Sequence, residues 1–476
     1  MNMKILKISF ILIATVSFAG CNKSKLDPVP QTSLTEENAF KSPDRILGQV
    51  YQMYNAAKSG QFLGGRYQVY NDIRAEEFLN LTTNQVTASN TWGHTLNSSI
   101  DEVKTCWNAG YQAINRCNIV LDGVTANPTV IPTATADQYK AEAKFVRALC
   151  YFSLVTLYGQ KPYAANAGAS LGLPLRIIGE KDLSNTNLAR STVAQTYALI
   201  LSDLNDAEAK LPANYSTPDL NVIRAHKNAA IALKTRVYLS MAKYPELITE
   251  ANKIVSASAP FSAPTTGINH KLNASFTTTF TNYVTTESIF SFPMTSTSAP
   301  GTQNGLATYY KTEYELNPAG ILGDASWKAT DARRSFITTN AAGKKFYSKF
   351  ADDNNNYVPI LRYAEVLLNL AEALTRSAST VNQKAIDLLN AVRQRSDAST
   401  TFTMADFPTS ASLVSAILRE RRIELLSEGF RSMDILRQNI PIPGKGNVQA
   451  VDPTSSLYVW PIPDSELLYN SLVIQN

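Results

Sequence analysis

Residue types able to carry chemistry are sparse in this chain. His94, His226 and His270 are the only histidines among 476 residues. None stands in an H-x-x-x-H or H-E-x-x-H spacing, so a histidine zinc site is not expected. The chain contains no G-x-S-x-G turn, no Walker-type loop and no dinucleotide glycine pattern. Paired carboxylates are the remaining catalytic option, since two acids can flank a glycosidic bond. Glu76-Glu77 and Asp352-Asp353 are the candidates, but adjacent acids on a helix or strand point apart. Asp352–Asn356 also lacks the later Gly and Glu of an EF-hand loop. No catalytic residue, metal or dissociable cofactor is expected. Cys106 and Cys117 fall eleven residues apart on one predicted helix, roughly 16 Å, too far for a disulfide. With Cys150 in ALCYFSLV, they read as small buried thiols.

Aromatic and amide side chains carry the better hypothesis. Indole and phenol faces bind the C–H faces of sugar rings or the side chains of peptides, while neighbouring amides bond the polar edges. Tyr67, Asn90, Trp92, Tyr309, Tyr310 and Trp327 are the candidate ligand-binding residues, all in loop-like sequence. Trp107, in a predicted helix, and Trp460, in the apolar YVWPIP segment, are weaker candidates. The alternative for each ring is an anchor in the core.

The densest mixture of charge and apolar bulk is Ile417–Arg437, ILRERRIELLSEGFRSMDILR. On a helical wheel Leu413, Val414, Ile417, Leu418 and Leu425 share one face, with Arg421 and Glu424 inside it. Charges so placed must be paired, and the spacing predicts a buried structural network of Arg421, Glu424 and Glu428 rather than a site. Gly429 supplies a stop, and Phe430 can fold back over the last turn.

Those residues must be positioned by helices, because helical periodicity dominates the chain. Helices are predicted over Glu36–Lys58, Asp101–Gly123, Asp137–Tyr158, Thr192–Leu211, His226–Met241, Pro245–Ser256, Pro359–Arg376, Asn382–Arg395 and Ser410–Ser427. Several are neighbouring, Ala-rich pairs suggestive of tetratricopeptide-type or generic αα-hairpins. The fold class is therefore mainly α, a helical-repeat scaffold over residues 36–256 and 359–437. Residues 257–358 are rich in Thr, Ser, Asn, Gly and Pro, with only short β-like runs such as SIFSFPM. This loop-rich insertion, with loops at 62–99 and 438–476, is where binding is expected. No linker or composition break divides residues 36–476, which read as a single domain.

Residues 1–20 have a basic start (Lys4, Lys7) and a short apolar run ending in small residues, the pattern of an export signal. Phe18-Ala19-Gly20-Cys21 resembles a bacterial lipobox, although Phe18 replaces the usual Leu. That assigns Cys21 an acyl lipid, the only prosthetic group expected, and residues 21–35 the part of a tether. Removal of the leader takes away Lys4 and Lys7 and no acid, so the formal charge falls from +5 to +3. With no Lys/Arg cluster, a nucleic-acid partner is not implied.

Four further segments add up in order: AEAKFVRALCYFSLVTLYG (Ala141–Gly159), PILRYAEVLLNLAEA (Pro359–Ala373), LRERRIELLSEGFRSMDILR (Leu418–Arg437) and PIPDSEL (Pro461–Leu467). They resemble the motifs of SusD/RagB-type outer-membrane lipoproteins of Bacteroidetes. The ending YNSLVIQN lacks the Gly-aromatic termination of many relatives. The resemblance implies a tetratricopeptide-like scaffold displayed on the cell surface, lipid-anchored to the outer membrane, and non-catalytic. It implies a SusC-like TonB-dependent transporter as partner and nutrient uptake as the task, with oligosaccharide as ligand. Peptide capture, as in RagB-like subunits, is the alternative; a surface glycosidase and a ligand-free partner subunit are more distant ones. The matched motifs belong to the scaffold, so no ligand-binding residue is carried over from the family. Cys21→Ala is expected to leave the protein soluble and unanchored; its continued recovery with the outer membrane after cell fractionation would contradict the lipobox reading.

Overall fold

The computed structural model describes residues 36–182, 184–354 and 356–476; the signal, Cys21 and the tether lie outside them. The helices that build the frame are α1 (Pro43–Ala57), α2 (Arg66–Ile73), α3 (Ser89–Gly93), α4 (Asp101–Ala126), α5 (Thr133–Tyr158), α6 (Val193–Lys210), α7 (Lys227–Ser240) and α8 (Tyr244–Ala251). After the insertion come α9 (Tyr363–Ser377), α10 (Gln383–Ser396), α11 (Ser410–Glu424) and α12 (Arg431–Leu436). Successive helices pack side by side from α4 through α7 and from α7 through α10, with α11 against α9. No described helix is long and apolar enough to cross a membrane.

Local sequence explains these elements. Pro43 at the first turn starts α1 afresh, so the predicted Glu36–Lys58 helix is divided after the short turn Glu36–Ala39. Thr192 and Gln195 form a reciprocal capping box on α6. Helix α5 is buried on nearly every side from Ala141 to Tyr158, as a run without a polar stripe requires. Helix α4 approaches it at Gly110, where a Cβ would sit 2.8 Å from the Leu154 side chain. One continuous apolar cluster runs from Ala39 to Val473 and draws in the insertion through Phe276, Phe290, Tyr314 and Trp327.

The insertion is held by three small antiparallel sheets. β1 (Phe78–Asn80) pairs with β3 (Tyr314–Leu316), β2 (Ser288–Pro293) with β6 (Tyr357–Arg362), and β4 (Ile337–Thr339) with β5 (Lys345–Tyr347). β6 corrects the expected helix Pro359–Arg376. Val358 precedes a proline, which disfavours helical backbone, and Pro359 has no N–H to give a helix. The stretch is extended, Pro359 faces Ser291, and the helix starts at Tyr363. Helix α11 likewise stops at Glu424, short of the expected Ser427, because Ser427 and Gly429 turn left-handed (φ +69° and +84°).

The charges of α11 are buried and paired, though not as the spacing suggested. Arg421 donates to Asp434 (2.9 Å) and Asn369 (2.6 Å), not to Glu424 or Glu428. Glu424 accepts from Arg333 (3.0 Å), Arg362 (3.1 Å) and Arg395. Glu428 binds Lys349 (2.6 Å) and Arg362 (2.7 Å). Arg333 also reaches Asp331 (2.6 Å) and Glu420 (2.5 Å), Arg393 reaches Glu420 (2.5 Å), and Glu287 closes the ring onto Arg362 (2.5 Å) and Arg395. Carboxylates of Glu287, Asp331, Glu420, Glu424 and Glu428 thus balance the cations of Arg333, Lys349, Arg362, Arg393 and Arg395. Side chains three or four apart on α11 fan toward different partners, Arg333 of the insertion, Arg393 and Arg395 of α10, Asn369 of α9 and Asp434 of α12, and those tertiary partners win.

Burial raises the Asp434 carboxyl, but Arg421 and Arg437 overcome it and hold it down at about 2. Its folded value is below the unfolded one, so its stabilisation is full above the ordinary carboxylate range and disappears as pH falls through about 2. Arg421→Leu leaves the buried Asp434 with Arg437 alone and takes the donor from the Asn369 amide oxygen, and is expected to cost about 3–5 kcal/mol in denaturant melts at pH 7. For Asp434→Asn, the gap in Tm from wild type should narrow as pH drops from 5 toward 2; a gap that widens on acidification would contradict the pairing.

Candidate functional site

Of the six candidate ligand-binding residues, Tyr67, Tyr309, Tyr310 and Trp327 are buried, at 5 % exposure or less. A ring with no free face has none to stack on a ligand in this conformation. The tyrosine hydroxyls explain the burial. Tyr309 donates to the carbonyl of Gln303 (2.9 Å) and Tyr310 to Asp72 (2.9 Å); Tyr67 shares a bond with Thr156 (2.9 Å). Tyr314, which stacks on Tyr309, donates to the carbonyl of Thr87 (2.6 Å). Burial raises all four phenols above their ordinary range. Trp327 lies beneath the Arg334 guanidinium (4.6 Å) and edge-on to Tyr347. Tyr310 fastens the insertion to α2 through Asp72, Tyr309 and Trp327 hold the insertion to itself, and Tyr67, expected in a loop, lies in α2; each ring is an anchor. Trp107 and Trp460 are buried as well.

Asn90 and Trp92 are different: both are partly exposed, on the single turn of α3. That turn is anchored at several points. Trp92 donates through Nε1 to the carbonyl of Phe78 (2.9 Å), and its ring lies under the Lys445 ammonium (5.6 Å). Glu102 of α4 accepts from the Thr91 backbone N–H (3.0 Å) and from its hydroxyl. Asn90 accepts from the Thr95 hydroxyl (3.1 Å). Asn84 caps the preceding 3-10 turn, and Arg66 donates to the carbonyl of Val86 (2.9 Å). An indole held at its nitrogen and one face, packed against the core yet still partly exposed, is preorganised for stacking along its exposed part.

A polar cleft of about 360 Å³ lies between α1, α4 and the loop Thr295–Gly305. Gln52, Asn55, Gln112, Arg116 and Ser298 line it, with Lys58, whose ammonium donates to Ser298 (2.8 Å) and is lowered from its ordinary value by burial. The same loop carries Gln303, whose carbonyl accepts from Tyr309 and Arg66. Amide and guanidinium donors spaced around an open cleft suit a hydroxyl-rich ligand. Sequence reasoning missed these residues, since polar positions at i, i+3 and i, i+4 on exposed helix faces look like any solvated surface.

The acids are occupied elsewhere. Glu76 binds Arg431 (2.6 Å), Glu77 binds Arg422 (2.7 Å) and caps the N–H of Ile321, and Asp353 accepts from the N–H of Ala307 (2.7 Å) and the hydroxyl of Thr308 (2.5 Å). His226 and His270, distant in sequence, stack at 5.4 Å in the interior, where burial lowers both. No cluster of three His, Cys, Asp or Glu with metal-binding geometry occurs among the described residues. Cys106, Cys117 and Cys150 are free, buried thiols, and burial pushes Cys106 up to about 12.

Two family models divide the chain. One described as "Starch-binding associating with outer membrane" matches residues 26–239, and one described as "SusD family" matches residues 258–476. A SusD superfamily protein from Bacteroides fragilis superposes with a TM-score of 0.82 at 32% identity, covering 91% of this chain and 99% of that one. A "Laminarin binding SusD-like protein" superposes with a TM-score of 0.69 at 20% identity over 92% of this chain and 99% of that one, a likeness of fold. SusD-like protein P38 of Formosa agariphila is 22% identical over 99% of both chains. The described burial separates two tryptophans by role: Trp327→Ala is expected to lose about 3–5 kcal/mol of stability, and Trp92→Ala less than half of that. Equal losses in urea melts would contradict the assignment of Trp92 to a solvent-facing position.

Proposed function

From the premise that this chain belongs to the SusD family, we propose that it is a cell-surface lipoprotein that captures an oligosaccharide and delivers it to a SusC-like TonB-dependent outer-membrane transporter. The observation that carries the reading is the turn bearing Trp92 and Asn90, an aromatic face and an amide held rigidly at the surface. A saccharide ring stacks on such an indole through its C–H face and gives its hydroxyls to nearby amides. The cleft of Gln52, Asn55, Gln112 and Arg116 offers further donors and acceptors for a longer chain. The starch-binding description of the matched family model and the laminarin-binding neighbour favour saccharide over peptide.

In this reading the protein binds without turning over its ligand, which the use of Glu76, Glu77 and Asp353 in ion pairs and caps supports. Acyl chains on Cys21 hold it at the outer membrane, and the transporter completes the import system. Stacking and solvent-exposed hydrogen bonds give affinities on the order of micromolar to millimolar, which suits a protein that must release its cargo.

Isothermal titration against panels of neutral oligosaccharides and of peptides tests the reading. An oligosaccharide is expected to bind, and Trp92→Ala to weaken it about tenfold or more at unchanged fold. Binding of peptides with no response to any glycan would overturn it.

A further inference from the structure

A cavity of about 180 Å³ opens behind the Trp92 turn, lined by Arg74, His94, Asn97, Ser98, Ser456 and Asn476 among others. Arg74 is 1 % exposed. Its Nη2 donates to the carbonyls of Leu457 (3.1 Å) and Tyr458, while its Nη1 is buried without a partner. No carboxylate pairs with this guanidinium among the described residues, and burial lowers it to about 10. A second basic side chain stands beside it: Lys445 donates to the carbonyls of Ile73 and Arg74, both at 2.7 Å, and burial lowers it well below its ordinary value. The acid whose charge reaches Lys445 is Glu76, already bonded to Arg431. Arg190 is buried without a carboxylate among the described residues as well, but backbone carbonyls meet its Nε, Nη1 and Nη2; Arg74 differs in keeping Nη1 unmet.

His94 completes the wall. It is 8 % exposed, and burial together with Lys445 and Arg74 lowers it to about 3, so it is neutral at pH 7. Its ring bonds to the Arg74 backbone carbonyl, and Nε2 is the ring nitrogen left without a partner. The bond to a carbonyl therefore places the proton on Nδ1 and leaves Nε2 as an acceptor. Arg74 and His94 line one cavity and each keeps a buried polar atom without a partner, a cationic donor and a neutral acceptor, which a ligand with both complements would satisfy.

We propose that this cavity is a binding site for a hydroxylated oxyanion, a group in which a negative oxygen meets Arg74 and an adjacent O–H donates to His94 Nε2. Hydrogen phosphate and the carboxylate of a uronic acid with its neighbouring hydroxyls share that chemistry. Sulfate supplies the charge without the donor, and a neutral sugar the donor without the charge. Asn97, Ser98 and Ser456 provide polar partners at the mouth. The site stands apart from the Trp92 stacking surface: inorganic probes test it without any saccharide, and neutral oligosaccharide binding tests the other.

The folded full chain is titrated calorimetrically at pH 7 with sodium phosphate, sodium sulfate, sodium glucuronate and glucose. Phosphate or glucuronate is expected to bind at one site, sulfate about tenfold more weakly or worse, and glucose not at all. Phosphate alone identifies a free anion as the occupant, and glucuronate alone an acidic sugar; either supports the site. Arg74→Gln is expected to abolish binding. Should that variant fail to fold, Ser456→Glu on the exposed rim places a carboxylate at the mouth and is expected to weaken binding at least about tenfold. His94→Asn suits the left-handed backbone there (φ +54°) and should erase the preference for phosphate over sulfate. Absence of phosphate and glucuronate binding at about 10 mM, binding undiminished in Ser456→Glu, or sulfate as tight as phosphate in the wild type would overturn the proposal.

Discussion

The interaction on which the rest of the structure depends is the buried ring of ion pairs centred on Glu424. Its carboxyl is raised by burial and pulled far lower by Arg395, Arg362 and Arg333, each arriving from a different segment. Arg333 comes from the insertion, Arg362 from the end of β6, and Arg395 from the end of α10. Taking such charges out of water costs several kcal/mol each, recovered only when every partner is in place. The loop-rich insertion, with only short strand pairs, is thereby fixed to the helical frame through a network that tolerates no missing member. Lys349, lowered by burial to about 8 and supported by Glu428, extends the same hold to the end of β5.

Rigidity then propagates to the surface. Tyr309 ties the insertion to itself through the carbonyl of Gln303, while Tyr314 reaches back to the carbonyl of Thr87 and Tyr310 to the Asp72 carboxyl that caps the Gly429 N–H. The turn carrying Asn90 and Trp92 sits between these fastened loops and the Glu102 cap. A binding surface that is already ordered loses little conformational entropy when ligand arrives, so modest contacts suffice for capture. Buried aromatics, far from being the site, determine where the few exposed groups stand.

Much of this was legible before the fold was seen. Helices with an apolar stripe and caps were readable because periodicity is local, and the motifs Ala141–Gly159 and Leu418–Arg437 pointed to the SusD/RagB family that the comparisons support. The failures are local readings of tertiary facts. Spacing ties Arg421 to Glu424, whereas its partners Asp434 and Asn369 are brought in by α12 and α9. Pro359 looked like the start of a helix because the following residues are strongly helical, and only the pairing with β2 reveals the strand. Tyr309, Tyr310 and Trp327 lie in polar sequence, which suggests exposure, but the hydrogen bonds that bury their loops leave no periodic signal. The unmet Nη1 of Arg74, too, is visible only in three dimensions.

The central claim is that the charged C-terminal segment is frame and the Trp92 turn is the ligand-facing element. A crystal structure of the protein with the oligosaccharide that titration selects tests it most directly. The account predicts a sugar ring against the Trp92 indole, with Asn90 in hydrogen-bond reach and the Glu424 network unmoved. A ligand seated on exposed Tyr309, Tyr310 or Trp327 rings, or one bonded to the Glu424 network, would contradict it.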